Sequence, residues 1–225
     1  AFIITTSLGA LTGVGIWFAA ALANPASIGS LIRVFYFIWF TEWIIFVLEV
    51  VFIMIYFLTW KKAGKSLKRK RRHILFGAGL SIFSWLTLAI IVGILGFMMD
   101  PGSWSEQKTL LSGFLNPIYI PQVVFRTGVA VMMGGCVALM ITAYAMKRTN
   151  RYKSSILRNI SIWILIWMPV AAVGAYSYYW YIPRSMIGNL QVAITTQQFQ
   201  QWYDSVLVVL IVVVSIGFAV SILGA

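Results

Sequence analysis

Three ionisable side chains lie inside long apolar stretches of this sequence. Glu42 and Glu49 lie in one stretch and Arg126 lies in another. A helix has about 3.6 residues per turn, so a spacing of seven puts both carboxyl groups on one helix face. An ionisable group in hydrocarbon costs about 2–3 kcal/mol or more and needs a partner, a cavity or a function. We therefore treat these three residues as candidates for chemistry.

Two carboxyl groups on one face suit a proton path or the lining of a quinone site. Low dielectric favours the neutral form of a carboxyl group, which can then pass protons on or accept them from a quinol. The structural alternative is that Glu42 pairs with Arg126, at a similar expected depth, and joins two helices. Glu49 has no basic residue at its depth, so we expect a protonated or hydrogen-bonded carboxyl there, with a proton path as the alternative.

Other side chains that bind metals or haem give weaker signals. His73 is the only histidine and follows Arg72 at the edge of an apolar stretch, so we expect it to be exposed. The methionines of the apolar stretches are expected to fill packing gaps. We assign no catalytic residue and expect no metal site. The chain alone is expected to hold no cofactor other than a quinone or a lipid.

The composition indicates which class of protein positions these residues. Of 225 residues, 61% are hydrophobic and 10% are charged, whereas globular chains average about 25% charged. This excludes a soluble enzyme, and the single cysteine, Cys136, excludes a disulfide scaffold. The net charge of +12 does not indicate nucleic acid, because the basic residues flank apolar stretches and do not form one hydrated face.

A transmembrane helix needs about 20 mostly apolar residues, and six stretches meet this requirement. We predict an all-α integral membrane protein, a bundle of six transmembrane helices forming a single domain over 1–225. The expected spans are 2–23, 31–60, 74–98, 120–146, 160–181 and 206–223.

Basic residues between the spans predict the orientation. Two crossings separate two basic segments, which therefore lie on one side, and the positive-inside rule makes that side cytoplasmic. Both termini are then cytoplasmic, and loops 101–116 and 182–203 face outward. Thirteen of the 17 Lys and Arg fall in these segments: Lys61, Lys62, Lys65, Lys68, Arg69, Lys70, Arg71 and Arg72 in the first, and Lys147, Arg148, Arg151, Lys153 and Arg158 in the second.

The first basic segment has two interpretations. It is a topology anchor, or it also binds anionic lipid head groups at about 1 kcal/mol per basic residue. Outside the spans, Ser103 to Glu106 fits a capping box that opens a short helix, and 195–204 is expected on the membrane surface. Glycines in apolar helices allow close helix contact, and we expect such contacts at Gly9, Gly13, Gly15, Gly134 and Gly135.

Several short motifs follow one another along the chain. They are Leu8–Gly13 (LGALTG), Glu42 with Glu49, Gly96–Pro101 (GFMMDP), Leu115–Pro117 (LNP) and Gln122–Val123. Taken in order, they resemble subunit I of the cytochrome bd quinol oxidases from that family's second helix onward. Glu42 and Glu49 are similar to its two third-helix glutamates, and Arg126 stands beside a threonine where the family has a histidine. The similarity covers roughly residues 5–150.

The resemblance also implies what this chain would not do. The family's fifth-helix histidine binds a low-spin haem, and Arg126 occupies that position. The histidine of the high-spin haem belongs to the first helix, which has no counterpart in the matched region. Loop 182–203 occupies the place of the quinol-binding loop and is much shorter.

We therefore expect a haem-free subunit of a larger respiratory or electron-transfer complex, structural or lining a quinone or proton path. Other membrane subunits would carry the redox centres, and the chain would not be catalytic alone. Its expected location is a prokaryotic inner or plasma membrane, with lipids as further partners and no nucleic acid. The alternatives are a small proton or ion conduit that uses Glu42 and Glu49, and an assembly scaffold.

Overall fold

The computed structural model describes residues 2–146 and 151–184, together with single helical residues between 205 and 222. The predicted surface segment 195–204 lies outside the described residues, and so does most of the predicted span 206–223. The described residues form eight helices and no strand: α1 (Phe2–Ala23), α2 (Pro25–Val34), α3 (Tyr36–Ala63), α4 (Leu67–Met99), α5 (Trp104–Gln107), α6 (Leu110–Phe114), α7 (Tyr119–Ala145) and α8 (Lys153–Tyr181).

Four of the described helices are long and apolar enough to cross a membrane, namely α3, α4, α7 and α8. The segment Leu8–Ala23 and α2 make a fifth span only if this pair, bent by 117°, counts as one. The chain is therefore a helical, multi-pass membrane protein by length and composition. The number of six spans and the orientation stay predictions.

The first compact unit, Ala1–Ile94, contains α1 to α3 and most of α4. Asn24 separates α1 from α2 because its side chain accepts a hydrogen bond from the Ser27 N–H at 3.2 Å. Pro25 follows in the first turn of α2, where a missing N–H is tolerated. Trp17 of α1 meets Trp39 of α3 edge to face, with ring centroids 4.7 Å apart.

The predicted continuous span 31–60 is wrong at its start. The backbone leaves the helical conformation at Phe35, with φ −107° and ψ 22°, and α3 begins at Tyr36. The Phe35 side chain is fully buried. We attribute the break to this burial, because a large apolar group fixed in a packed interior can outweigh one turn of helix.

The first basic segment is mostly helical, although it lies between two of the predicted spans. Lys61 and Lys62 lie in the last turn of α3, five more basic residues lie in the first turns of α4, and only Lys65 lies between the helices. Lys and Arg are good helix formers, and Ser66 supports the start of α4 by accepting the Arg69 N–H at 3.3 Å.

The second compact unit, Leu95–Ala225, contains the end of α4 and the helices α5 to α8. The predicted short helix after Ser103 is present as α5, but the Ser103 side chain makes no capping hydrogen bond. Thr109 caps the next helix, α6, by accepting the Ser112 N–H at 3.2 Å. The predicted helix is therefore confirmed, but the predicted capping hydrogen bond from Ser103 is wrong.

Helices α7 and α8 pack with their backbones unusually close. A Cβ added at Gly128 would lie 2.7 Å from the Ala171 Cα, and one added at Gly174 would lie 2.5 Å from the Phe125 nitrogen. Gly135 meets the Ile164 side chain in the same way. Only glycine leaves room for such contacts between helices.

The expected glycine contacts are mostly not the ones that the structure uses. Gly135 is confirmed as a contact. No described atom lies within 4 Å of a Cβ added at Gly9, Gly13, Gly15 or Gly134. Sequence alone does not reveal which face of a uniformly apolar helix meets its neighbour, because every face is compatible with lipid.

Candidate functional site

Glu49 is the buried carboxyl group of the first unit. Its side chain on α3 is 8% exposed. Two hydroxyl groups of α4 bond to it: Ser84 Oγ donates to Oε1 at 2.7 Å, and Thr87 Oγ1 donates to Oε2 at 3.0 Å. Ser84 and Thr87 are three residues apart, so they share one face of α4. The hydrogen-bonded carboxyl that we expected at Glu49 is confirmed.

The second hydroxyl makes this arrangement compatible with both protonation states of Glu49. Thr87 Oγ1 also lies 3.1 Å from the Phe83 carbonyl oxygen, and a hydroxyl group has one hydrogen and two acceptor positions. When Glu49 is ionised, Thr87 donates to the carboxylate. When Glu49 is protonated, it can donate to Thr87, which turns its hydrogen to the Phe83 carbonyl. The two helices can therefore keep the same positions in either protonation state.

Glu42 lies about two turns before Glu49 on the same face of α3. Its side chain is half-buried, and none of the described residues of the first unit forms a hydrogen bond or ion pair with it. A carboxyl group at this depth is costly without a partner. Glu42 therefore needs a partner outside the first unit, or its carboxyl group must be in the neutral, protonated form.

Arg126 is exposed on α7 in the second unit. None of the described residues of that unit pairs with its guanidinium group. Glu42 and Arg126 belong to different units, so the ion pair between them stays a prediction.

His73 corrects one of our expectations. It is 8% exposed, although we expected an exposed ring at this position directly after the first basic segment. The Tyr56 ring stacks on it with centroids 4.2 Å apart, the Trp60 ring meets it edge on at 5.4 Å, and its Nδ1 lies 2.8 Å from Thr59 Oγ1. These partners precede His73 by 13 to 17 residues, across a turn whose geometry the sequence did not reveal.

The second unit brings together motifs that are distant in the sequence. A Cβ added at Gly96 would collide with the Asn116 side chain, and one added at Gly102 would lie 2.8 Å from Pro117. Asn116 is buried, and its Nδ2 donates to the Gly113 and Phe114 carbonyl oxygens at 3.2 Å each. The GFMMDP and LNP motifs therefore pack against each other. The contacts observed between them are packing contacts.

A small polar cluster lies near the start of α7. Gln122 is 1% exposed, and its Nε2 donates to the Tyr178 hydroxyl at 3.3 Å, which in turn lies 3.5 Å from Met99 Sδ. The sequence did not reveal this cluster, nor did it reveal Ser84 and Thr87 as partners of Glu49. Hydroxyl residues three apart within an apolar stretch, at the depth of an isolated carboxyl, are the signal that would have found the last two.

No protein-family model, curated protein or solved structure matches the chain. The resemblance to oxidase subunit I therefore rests on its short motifs. At the position that the resemblance assigns to the low-spin haem ligand this chain has Arg126, which does not fit a haem, because a guanidinium group has no free electron pair for iron. Among the described residues, no three His, Cys, Asp or Glu side chains are grouped so that they could hold a metal ion.

Proposed function

We propose that this chain is a haem-free, oxidase-subunit-I-like subunit of a larger respiratory or electron-transfer complex in a prokaryotic inner or plasma membrane. In this proposal Glu49 lines a path for protons or the edge of a quinone site, and partner subunits hold the redox centres. The observation that carries the proposal is the buried Glu49 carboxyl with its two hydroxyl partners on α4.

The chemistry of this cluster supports proton handling. A carboxyl group that is only structural is best served by donors that keep it in one protonation state. Thr87 has the Phe83 carbonyl as a second acceptor, so it can serve the ionised and the neutral carboxyl alike. A group that exchanges protons with a quinol or a water chain needs this tolerance.

Two further groups support a larger assembly. Glu42 and Arg126 each have no partner among the described residues of their own units, and ionisable groups in hydrocarbon are normally paired. A partner subunit, or the predicted pair between the two, would satisfy them. Arg126 also suits an anionic group of a partner, such as a haem propionate, because guanidinium binds carboxylates through two hydrogen bonds.

The first experiment purifies the chain from its native membrane in mild detergent and identifies the proteins that accompany it. We expect membrane subunits that carry redox centres, and a redox difference spectrum in which no haem belongs to this chain. A stoichiometric b-type haem on the isolated chain would contradict the proposal.

The second experiment measures turnover-linked proton uptake by that complex. Glu49→Gln should slow it by about ten-fold or more, because the neutral amide cannot carry the proton. Glu106→Gln is the matched control, since Glu106 is an exposed carboxylate outside the long apolar helices. Equal rates in both variants would leave Glu49 with a structural role only.

A small proton or ion conduit is the second candidate, favoured by the position of Glu42 and Glu49 on one face of α3. The test reconstitutes the purified chain into liposomes and measures proton flux under a pH gradient. Flux that requires both glutamates in the absence of any partner would favour the conduit over the complex subunit.

A further inference from the structure

A pocket of about 560 Å³ opens where α3 ends and α4 begins, within the first unit. It lies at the basic end of both helices, and the function proposed above does not use it. Its polar lining combines two aromatic side chains of α3 with a hydroxyl, an ammonium and an imidazole group from the turn and α4: Tyr56, Trp60, Ser66, Lys70 and His73.

One ring nitrogen of His73 has no hydrogen-bond partner in the part of the chain that the structure describes. His73 Nδ1 lies 2.8 Å from Thr59 Oγ1. In the tautomer in which Thr59 donates to Nδ1, the ring hydrogen is on Nε2, which can then donate it to a ligand. The other ring nitrogen, Nε2, forms no hydrogen bond with any of the described residues. The stacked Tyr56 ring fixes the orientation of the imidazole at the pocket wall.

The sequence on either side of this pocket supplies basic residues without acidic ones. Eight Lys and Arg lie between 61 and 72, and the sequence has no Asp or Glu between 50 and 99. Five of the eight lie in the first turns of α4, where the helix dipole is already positive and basic residues are unfavourable. An anion bound at this end would relieve both the mutual repulsion and the unfavourable dipole.

We propose that this pocket binds the phosphate head group of an anionic phospholipid. Lys70 would hold the phosphate, with His73 Nε2 and the Ser66 hydroxyl as further polar groups beside it. Tyr56 and Trp60 would contact the glycerol and upper acyl region, since amphipathic rings settle at that depth of a bilayer. The apolar wall completed by Leu67 and Ile74 favours a lipid over a free phosphate ion.

Binding of a head group in this pocket differs from the general attraction of a basic segment for an anionic surface. Diffuse attraction gives each Lys or Arg near the surface about the same contribution, roughly five-fold in affinity per residue. A head group seated in the pocket makes Lys70 different from its neighbours, because a direct charge-assisted hydrogen bond is added to the general attraction. This difference between lysines is what the experiment measures.

The test uses the purified full chain in detergent and measures retention of phosphatidylglycerol by native mass spectrometry. Lys68→Gln is the matched control, because Lys68 lies in the same first turns of α4 and does not line the pocket. We expect Lys70→Gln to weaken binding about ten-fold more than Lys68→Gln does. Lys70→Arg should retain binding, because it keeps the charge and the donors.

Three outcomes would overturn the proposal. Equal losses in Lys70→Gln and Lys68→Gln would show that the basic segment attracts lipid only diffusely. Displacement of phosphatidylglycerol by inorganic phosphate, beyond the effect of chloride at the same ionic strength, would show a site for the free ion. Retention of phosphatidylcholine as strong as that of phosphatidylglycerol would likewise contradict recognition of an anionic head group.

Discussion

At the scale of single residues, two hydroxyl groups make a buried carboxyl group tolerable. Ser84 and Thr87 give Glu49 one donor for each oxygen. Hydrogen bonds to charged groups contribute about 1.5–3 kcal/mol each, and a buried acceptor that loses its donor keeps its full desolvation cost. The stability of the first unit should therefore depend on these hydroxyls more than on others in the same helix.

Ser84→Ala should lower the free energy of unfolding by about 1–3 kcal/mol, because it leaves Glu49 Oε1 without its donor. Ser81→Ala is the matched control, since among the described residues the Ser81 hydroxyl bonds only to the Gly77 carbonyl of its own helix; its change should stay within about 0.5 kcal/mol. Unfolding in mixed detergent, followed by circular dichroism, measures both. Equal effects would show that the Ser84–Glu49 hydrogen bond adds no stability.

The sequence predicted individual residues better than their partners. Glu49 stood out because a carboxyl group in an apolar stretch is rare for a physical reason. Ser84 and Thr87 did not, because small hydroxyl residues are common in membrane helices and usually bond to their own backbone. The exposed His73 that we predicted was wrong, because aromatic side chains of α3 cover it.

At the scale of elements, a lysine closes the end of α7. Lys153 Nζ donates to the Ala143 carbonyl oxygen at 2.7 Å and to the Met146 carbonyl oxygen at 2.8 Å. The last carbonyl groups of a helix have no partner within the helix, and a cation there also suits the dipole. Lys153 therefore stabilises a helix end, in addition to its predicted part in the orientation.

Lys153→Gln should lower the thermal stability of the second unit by the equivalent of about 1–2 kcal/mol, since the shorter neutral side chain cannot reach both carbonyls with a charge. Arg158→Gln removes the same charge from an exposed position of α8 and should change stability by less than about 0.5 kcal/mol. Differential scanning fluorimetry of both variants is the measurement. If the two lose the same stability, charge alone matters and the cap does not.

The glycines of α7 and α8 give a second prediction for elements. Gly174→Ala places a methyl group against the Phe125 backbone, which cannot yield cheaply, so we expect a loss of about 1–3 kcal/mol. Gly134→Ala, with open space around it, should be neutral or stabilise the helix by up to about 1 kcal/mol. Thermal unfolding of the two variants measures this difference in stability. A Gly174→Ala protein as stable as the native chain would contradict the close packing of α7 and α8.

The central segments of α3, α4, α7 and α8 were predictable, because a chain segment in lipid must satisfy its own backbone hydrogen bonds and a long apolar helix does so. Their ends were not. Basic residues lower the mean hydropathy and so end a predicted span, but they do not end a helix. For this reason α4 begins at Leu67, whereas the predicted span begins at residue 74. The break at Phe35 depends on a buried side chain, which hydropathy cannot detect.

At the scale of the whole molecule, the chain is helical and multi-pass, and four to five of its spans are supported. In our proposal it serves as a haem-free subunit of a larger complex. Glu42 and Arg126 have no ion-pair partner among the described residues of their own units. Together with the buried carboxyl of Glu49, they fit a protein that completes its polar contacts with partners. The basic end of α3 and α4 then supplies an anchor in the lipid head groups.

The most direct test of this account is infrared spectroscopy of the protonated carboxyl band, recorded against pH on the chain in lipid nanodiscs. If Glu49 exchanges its proton, the band rises and falls reversibly with pH in the native chain and in Glu42→Gln. Glu49→Gln should remove that response. A band that keeps the same pH response in Glu49→Gln, or no response in the native chain, would contradict the proton-handling role of Glu49.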